Sequence, residues 1–316
     1  MIKVAVIIPY YQKQLGILKK AIDSVISQKN IANISIHIII IDDGSPISAI
    51  EEIKSLPRVN GIKVSCFDKV NGGPASARNF GLDKVEDTTD FIAFLDSDDT
   101  WEPEHIYNAV MALNESYDFY FADFFQLDQN ISAFKRAKKI NPEEHSQICN
   151  TPFLHKYNGN MINQIITGNI IGTPTVVIRK TVIDKIRFRE EFTSAGEDYL
   201  FWIEVCKKTQ KIAFSSKPEC RCGRGVNVYS GAKWGSTELL IRLYNELKYR
   251  KTTMTELVLD NDLQIFLNSK IKLLRKEISR LIIHRILHGK NIPLQLIGKI
   301  SKMDPRAIFL LPLNYF

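Results

Sequence analysis

The stretch that decides the fold is Phe91-Ile92-Ala93-Phe94-Leu95 followed by Asp96-Ser97-Asp98-Asp99. An apolar run of this length predicts a buried strand, and the carboxylates then lie at the carboxyl edge of a sheet, where open α/β sheets bind ligands. Side chains alternate along an extended chain, so Asp96 and Asp98 are expected to point the same way. Such a pair suits a hard divalent cation, Mg²⁺ or Mn²⁺. The alternative is a polar loop whose aspartates cap the helix predicted to start near Pro103.

The first 125 residues alternate strand-like and helix-like patterns, which predicts right-handed βαβ units. Strands are predicted at 3–9, 35–41, 62–67, 90–95, 117–125 and 175–179. Helices are predicted at 17–26, 74–82, 103–113, 197–207 and over much of the chain after Thr237. The expected fold class is therefore α/β, with a Rossmann-like, mostly parallel sheet, flanking helices and a helical C-terminal region.

Charge is unevenly distributed along the 316 residues, whose net charge is +7. Residues 242–316 contain 14 basic and 6 acidic side chains, a balance of +8, whereas residues 1–241 have a balance of −1. A basic segment suits an anionic membrane or a nucleic acid, and charge alone does not separate the two. No run approaches the roughly 18–20 apolar residues of a spanning helix, and no signal peptide is expected.

The five cysteines form an odd and scattered set. Cys220 and Cys222 could be metal ligands, but no second pair has the spacing of zinc ligands, so free thiols in a reducing cytoplasm are expected. The histidines at 105, 145 and 155 lack metal-ligand spacing as well, and structural or solvent-facing roles are expected for them.

Two further motifs favour a nucleotide. Asp42-Asp43-Gly44-Ser45 follows a predicted strand, where a carboxylate can accept hydrogen bonds from a base or a ribose, although Asp-Gly is also ordinary turn chemistry. Asn71-Gly72-Gly73 leads into a helix carrying Arg78, a pattern typical of anion sites, with a simple capped helix as the alternative. The second motif is neither a P-loop nor the dinucleotide fingerprint.

Taken in order, these motifs and Pro9-Tyr10-Tyr11 resemble those of the family 2 inverting glycosyltransferases of bacterial glycan biosynthesis, which have the GT-A fold. The resemblance is strong over residues 3–115 and weaker as far as 236. It implies a nucleotide-sugar site formed by Pro9, Tyr11, Asp43, Asn71, Arg78 and Asp96. In that site Pro9 and Tyr11 flank the base and Asp43 accepts a hydrogen bond from uracil. Asp98, with Asp96, is the implied ligand of Mn²⁺ or Mg²⁺, which neutralises charge as the nucleoside diphosphate leaves.

The resemblance also implies an acceptor side. Ser194-Ala195-Gly196-Glu197-Asp198, followed by Trp202, resembles the Glu-Asp motif of the family. Asp198 is the expected base and Glu197 an acceptor-side binder, although which of the two takes the proton stays open. The alternative is that both complement the dipole of a helix N-terminus. The glycine-rich loop 223–235 resembles the segment that closes over donor and acceptor, and its candidate contacts are Arg224, Asn227 and Ser230.

The expected organisation is a GT-A catalytic domain at 1–236, with a nucleotide-sugar-binding half at 1–125 and an acceptor-binding half at 126–236. A basic helical region at 237–316 completes it. The family's polysaccharide synthases carry a Gln-x-x-Arg-Trp motif that this chain lacks. The expected reaction is therefore transfer of a single hexose or N-acetylhexosamine from a UDP-sugar to a hydroxyl of a lipid-linked cell-surface glycan precursor.

Two alternatives are kept beside this function. A sugar-1-phosphate nucleotidyltransferase should have a glycine- and arginine-rich loop after the first strand, where this chain has Tyr10-Tyr11-Gln12-Lys13-Gln14. A non-catalytic glycan- or nucleic-acid-binding relative would use the basic tail, but carboxylates at the cleft repel phosphates, so no nucleic acid is expected. The expected location is the cytoplasm, with peripheral contact to the inner face of the cell membrane through 263–316. Packing of those helices on the catalytic domain is the alternative, and a homodimer stays open.

Overall fold

The computed structural model describes residues 1–127, 129–192, 196–225 and 231–310. The chain divides into two compact units. The first consists of Met1–Thr193 and Phe201–Val226 and contains the sheet, and the second consists of Ser194–Leu200 and Asn227–Phe316 and is helical. Of the helices in this described part of the chain, none combines the length and the apolar character needed to cross a membrane.

The described residues of the first unit form a sheet of nine strands: β1 (Ile2–Tyr10), β2 (Ile34–Asp42), β3 (Ile62–Asp68), β4 (Phe91–Phe94), β5 (Thr100–Trp101), β6 (Phe119–Phe125), β7 (Leu154–Lys156), β8 (Val177–Arg179) and β9 (Ile212–Arg221). Their order is β3-β2-β1-β4-β8-β6-β9-β5, with β7 on β9. The first four are parallel, as are β6 and β9, whereas β8 is antiparallel to both neighbours. The α/β fold class predicted from the sequence is confirmed.

Helices flank this sheet and make up the second unit. In the described ranges they are α1 (Ile17–Ile26), α2 (Ala49–Ile53), α3 (Pro74–Leu82), α4 (His105–Asn114), α5 (Ala133–Ala137), α6 (Met161–Gly168), α7 (Lys180–Ile183), α8 (Glu197–Lys208), α9 (Thr237–Glu256), α10 (Asn261–Leu287), α11 (Leu294–Met303) and α12 (Arg306–Phe309). Side chains of α1, α2 and α4 pack with Val4, Val6 and Ile8 of β1, while α3 packs on the opposite face with Ala5. Because side chains alternate along a strand, β1 is buried on both faces and is apolar almost throughout.

Helix α3 lies unusually close to β1. A Cβ atom at Gly81 would come within 2.5 Å of Ile7 Cγ2, so a larger residue at this position would force Ile7 or the helix to shift. The contact sets the distance between α3 and β1. The N-terminus of α3, at Pro74, lies near the carboxyl end of β2, because the Gly73 N–H donates to Asp43.

The sequence interpretation missed β9, because it contains Pro218 and several polar residues. Proline cannot donate to a sheet ladder and is tolerated in sheets mainly at edges and bulges. In the structure Pro218 lies opposite Asp123, where the register between β6 and β9 shifts, so an irregularity accommodates the proline. Helix α4 also begins at His105, two residues later than the proline pattern predicted.

The second unit has its own apolar core, built by α9, α10, α11 and α12. The stripe predicted on α10, which includes Ile271, Leu274 and Ile278, is buried in that core. Asp304, also buried, accepts hydrogen bonds from the Arg275 guanidinium at 2.9 and 3.1 Å. The apolar face of α10 is therefore occupied by neighbouring helices, and membrane contact through 263–316 would have to use other side chains.

Candidate active site

The candidate site lies at the carboxyl ends of β1, β2 and β4. The strand order reverses between β1 and β4, and this switch point is where open α/β sheets bind ligands. Gln12 Nε2 donates to Ser97 Oγ at 3.0 Å, a buried bond that ties the segment after β1 to the segment after β4. Pro9 and Tyr11 lie half-buried at the end of β1, and their base-flanking role stays a prediction. The two acidic segments follow β2 and β4, which lie on either side of β1.

Asp43 anchors the loop that leads into α3. The residue is only 3% exposed, and its carboxylate accepts hydrogen bonds from Lys69 Nζ at 2.6 Å, from the Gly73 N–H at 2.7 Å and from the Gly72 N–H. Asn71 Nδ2 donates to the Asp43 carbonyl at 2.7 Å. A side chain at Gly72 would crowd this arrangement, because its Cβ would lie within 3.0 Å of Ser76 and of Lys69 Nζ. Recognition of uracil by Asp43 stays a prediction.

Helix α3 brings Arg78 to the segment after β4. Arg78 is 5% exposed, and its Nη2 donates to Asp96 Oδ1 at 2.7 Å. The guanidinium also lies 5.4 Å from the centre of the Phe188 ring, a cation–π distance. Phe188 was not expected from the sequence, since it follows α7 in a segment without a motif. The Arg78 guanidinium thus packs near the Phe188 ring and is paired with the Asp96 carboxylate.

Residues 96–99 form a turn, not the extended run that the alternation argument assumed. The Asp99 N–H donates to the Asp96 carbonyl at 3.0 Å, which closes the turn directly after β4. The Asp98 carboxylate accepts a hydrogen bond from the Gly225 N–H at 2.6 Å. Burial and then the neighbouring Asp96 charge raise the pKa of Asp98, while the Gly225 N–H opposes that rise. The Asp96 and Asp98 charges therefore interact across a turn, not along an extended segment.

The donor set at this turn fits a hard divalent cation. Asp96 and Asp98 supply carboxylate oxygens, the ligands that Mg²⁺ and Mn²⁺ prefer. Their mutual repulsion, which contributes to the raised pKa of Asp98, is the kind that a bound cation relieves. Arg78 offsets the charge of Asp96 in part.

The start of the glycine-rich loop packs directly on Asp98. A Cβ at Gly223 would lie 1.7 Å from the Asp98 carbonyl oxygen, and one at Gly225 would lie 2.7 Å from Asp98 Oδ2. Sequence reasoning noted the glycines but not this contact, which only the fold brings about. Arg224, between them, is exposed. The expected contacts Asn227 and Ser230 lie outside the described residues.

A buried polar cluster stabilises β9, the strand that pairs with β5 directly after this turn. Glu219 of β9 accepts hydrogen bonds from Asn108 Nδ2 and from the Tyr120 hydroxyl, each at 2.8 Å, and its Oε2 lies 2.9 Å from His105 Nδ1. All four side chains are nearly inaccessible. Because β9 pairs with β5 directly after the turn, this cluster fixes the strand from which the glycine-rich loop departs.

Glu197 and Asp198 begin helix α8. Both carboxylates lie in its first turn, where they complement the positive end of the helix dipole. Asp198 Oδ1 accepts a hydrogen bond from the Tyr199 N–H at 2.8 Å, and the Tyr199 ring packs edge-on against Tyr249 at 5.4 Å. Burial raises the pKa of Tyr249 to about 12, and the Asp198 charge adds to the rise. The catalytic roles expected for Glu197 and Asp198 stay predictions.

Comparison with known proteins places the chain in a family. The model of glycosyl transferase family 2 matches residues 5–186. The succinoglycan biosynthesis protein ExoW of Rhizobium meliloti is 30% identical over 246 residues, which are 78% of this chain and 76% of the relative.

Two solved structures resemble the fold. TarS of S. aureus, residues 1–349 in complex with UDP-GlcNAc, aligns with a TM-score of 0.56 at 17% identity over 98% of this chain and 82% of that one. The mannosyltransferase PcManGT of Pyrobaculum calidifontis, in complex with GDP-Man and Mn²⁺, aligns with a TM-score of 0.54 at 10% identity over 98% of this chain and 83% of that one. The expected GT-A fold is confirmed, and the chain belongs to glycosyl transferase family 2.

Proposed function

We propose that the chain transfers a single hexose or N-acetylhexosamine from a UDP-sugar to a hydroxyl of a lipid-linked cell-surface glycan precursor, with inversion at the anomeric carbon. The observation that carries this proposal is the pair Asp96 and Asp98 at the switch point of the sheet, with Arg78 hydrogen-bonded to the first. The UDP-bound and UDP-GlcNAc-bound structures of TarS support a uridine donor. The name of ExoW supports a glycan product.

The donor nucleotide would lie across the ends of β1, β2 and α3. Pro9 and Tyr11 would flank the base, and Asp43 and Asn71, which are hydrogen-bonded to each other, would bind its polar edge. Arg78 and the N-terminus of α3 would attract the phosphates, because a helix N-terminus and a guanidinium both favour anions. Asn227, Ser230 and Arg224 are proposed to contact the donor and the acceptor from the glycine-rich loop.

Asp98 and Asp96 would hold Mg²⁺ or Mn²⁺ against the donor diphosphate. Such an ion would supply Lewis-acid stabilisation of the charge on the departing nucleoside diphosphate. The Gly225 N–H orients the Asp98 carboxylate, and Arg78 orients that of Asp96. The complex of PcManGT with Mn²⁺ supports the use of a divalent ion.

Inversion requires a base on the face of the sugar opposite to the leaving group. An acceptor hydroxyl becomes a competent nucleophile when its proton is taken during attack. We assign this proton transfer to Asp198 and acceptor binding to Glu197. The hydrogen bond from the Tyr199 N–H would orient the Asp198 carboxylate.

A lysine-lined groove in the second unit supports an anionic acceptor. Lys248 and Lys251 of α9 and Lys299 and Lys302 of α11 line this cavity of about 410 Å³. We propose a catalytic domain at 1–236, and the groove lies outside it, in residues 237–316. Its lysines would attract the phosphate groups of a lipid-linked acceptor at the cytoplasmic face of the membrane. Exposed apolar side chains in the same unit, such as Leu294 and Phe309, would add apolar contact.

A thermal-shift panel tests the donor. The full chain is heated with UDP-, GDP- and ADP-linked hexoses in the presence of Mn²⁺. At a ligand concentration of about 100 Kd the native state gains about 2.7 kcal/mol, which raises Tm by several degrees. UDP-sugars should raise Tm, and UDP should be released when an acceptor is added. Pyrophosphate release from UTP and a sugar 1-phosphate would favour the nucleotidyltransferase instead, and no shift with any nucleotide sugar would contradict the proposal.

A further inference from the structure

Three potential metal ligands meet behind the Asp96–Asp99 turn. The ligand atoms of Asp99, Cys220 and Cys222 all lie within 4.8 Å of one another. The antiparallel pairing of β5 with β9 explains this, because Thr100 lies opposite Arg221 and so brings Asp99 beside Cys222. Cys220 and Cys222 are two positions apart on an extended segment, so their side chains share a face. Sequence reasoning set these cysteines aside because it looked for a second cysteine pair, whereas the third ligand is an aspartate from a distant segment.

The charge around Asp99 is poorly compensated. The side chain is 4% exposed, and the described hydrogen bonds give its carboxylate one donor, the Gly223 N–H at 2.8 Å. Asp96 and Asp98 lie close enough to repel it. Among the described residues no lysine, arginine or histidine forms an ion pair with Asp99. A buried carboxylate with this single described hydrogen-bond donor can serve as a ligand to a cation.

We propose that Asp99, Cys220 and Cys222 form a binding site for a soft divalent cation, with Zn²⁺ as the fitting ion. Thiolate ligands select zinc-like ions, whereas the all-oxygen pair Asp96 and Asp98 selects Mg²⁺ or Mn²⁺. Binding releases the two thiol protons to solvent, forms two metal–sulfur bonds and one metal–oxygen bond, and leaves a fourth position for water.

The spacing suits a tetrahedral ion. Zn–S bonds of about 2.3 Å and a Zn–O bond of about 2.0–2.2 Å separate the ligand atoms by about 3.6–3.8 Å. Closing the cluster from within 4.8 Å therefore needs movements of about 1 Å or less at side-chain termini. The bound ion would join the end of β9 to the turn after β4. It would thereby hold Gly223 and Gly225 against Asp98, so that a soft cation in this site supports the hard-cation site without being part of it.

Cobalt spectroscopy tests the site. The full chain is reduced, freed of metal with a chelator, given excess Mg²⁺ to occupy all-oxygen sites, and titrated with Co²⁺. Sulfur-bound Co²⁺ absorbs intensely in the near ultraviolet, and oxygen-bound Co²⁺ does not. We expect this absorption to saturate at one Co²⁺ per chain and to be displaced by Zn²⁺. Absence of this absorption at one equivalent of Co²⁺ would overturn the proposal. A Cys220–Cys222 disulfide in the protein as purified, with no cobalt absorption after its reduction, would overturn it as well.

Variants make the test specific. Cys222→Ala, at a half-buried position, should lose about half of the absorption and weaken Zn²⁺ binding by more than the 10–100-fold typical of lost outer-shell partners. Asp99→Asn should keep both sulfur ligands and the absorption but bind more weakly. Cys149→Ser is the matched control, since Cys149 is another half-buried thiol outside the cluster, and it should behave as the wild type. An unchanged titration in Cys222→Ala would refute the assignment.

Discussion

Substitution of Gly225 by alanine should disable the candidate metal site without unfolding the protein. The backbone of Gly225 is not in the left-handed region, so alanine introduces no backbone strain. Its Cβ would, however, lie 2.7 Å from each of Asp98 Cβ, Cγ and Oδ2. Either the Asp98 carboxylate or residues 223–225 must move. In both cases the hydrogen bond from the Gly225 N–H to Asp98 Oδ2, now 2.6 Å, is lost or lengthened.

The size of the effect follows from that bond. A hydrogen bond to a charged group contributes about 1.5–3 kcal/mol, and 1.36 kcal/mol corresponds to a factor of ten. If Asp98 orients the ion and the donor diphosphate, Gly225→Ala should lower kcat/KM by about 10- to 150-fold. The loss of the N–H donor also removes the contact that opposes the raised pKa of Asp98. Protonation then competes more strongly with metal, so a higher Mn²⁺ concentration should be needed for half-maximal rate.

The assay is UDP release from the UDP-sugar that the thermal-shift panel selects, measured as a function of Mn²⁺ concentration. Gly298→Ala in α11 is the matched control. Its added Cβ would meet no atom within 4 Å, and alanine favours a helix, so activity should be unchanged. Wild-type turnover and wild-type Mn²⁺ dependence in Gly225→Ala, with an intact fold by circular dichroism, would refute the reasoning.

Three further predictions concern the base, the donor and the fold. Asp198→Asn should lower kcat by about 10²–10⁴-fold with little change in donor KM; an unchanged kcat would move the base elsewhere. Arg78→Gln removes the charge-assisted bond to Asp96, and calorimetry should show about 10- to 100-fold weaker UDP binding, whereas equal affinity would exclude Arg78 from the donor site. Gly81→Ala overpacks α3 against Ile7 and should cost about 1–3 kcal/mol, seen as a Tm several degrees lower; a Tm at or above that of wild type would show that α3 can move off β1.

Much of the fold could be predicted because its signals are local. The apolar runs of β1, β2 and β4 predicted buried strands, and Pro74 and the preceding glycines predicted the start of α3 at the residue where it begins. The carboxylates that follow β2 and β4 lie at the sheet edge that the βαβ pattern implies. What failed was the local geometry after β4, where a backbone hydrogen bond turns the chain.

The unpredicted parts of the site depend on contacts between distant segments. Strand β9 was hidden by Pro218, which an irregular pairing with Asp123 tolerates. Gly223 and Gly225 contact Asp98 because β9 pairs with β5. Nothing in the sequence around Phe188 indicates that its ring lies near Arg78. In each case the partner is fixed by tertiary packing and not by the spacing of neighbouring residues.

Mn²⁺-dependent UDP formation by Asp98→Asn, measured beside the wild type, tests whether Asp98 holds the donor diphosphate through a metal ion. Asp23→Asn is the matched control, because Asp23 lies in an exposed ion pair with Lys19 that contributes little to stability. We expect the wild type and the control to release UDP only with a divalent ion. We expect Asp98→Asn to keep its fold and to lose this activity by at least about 10²-fold. Undiminished, Mn²⁺-dependent UDP formation by a folded Asp98→Asn protein would contradict the claim that Asp98 holds the donor diphosphate through a metal ion.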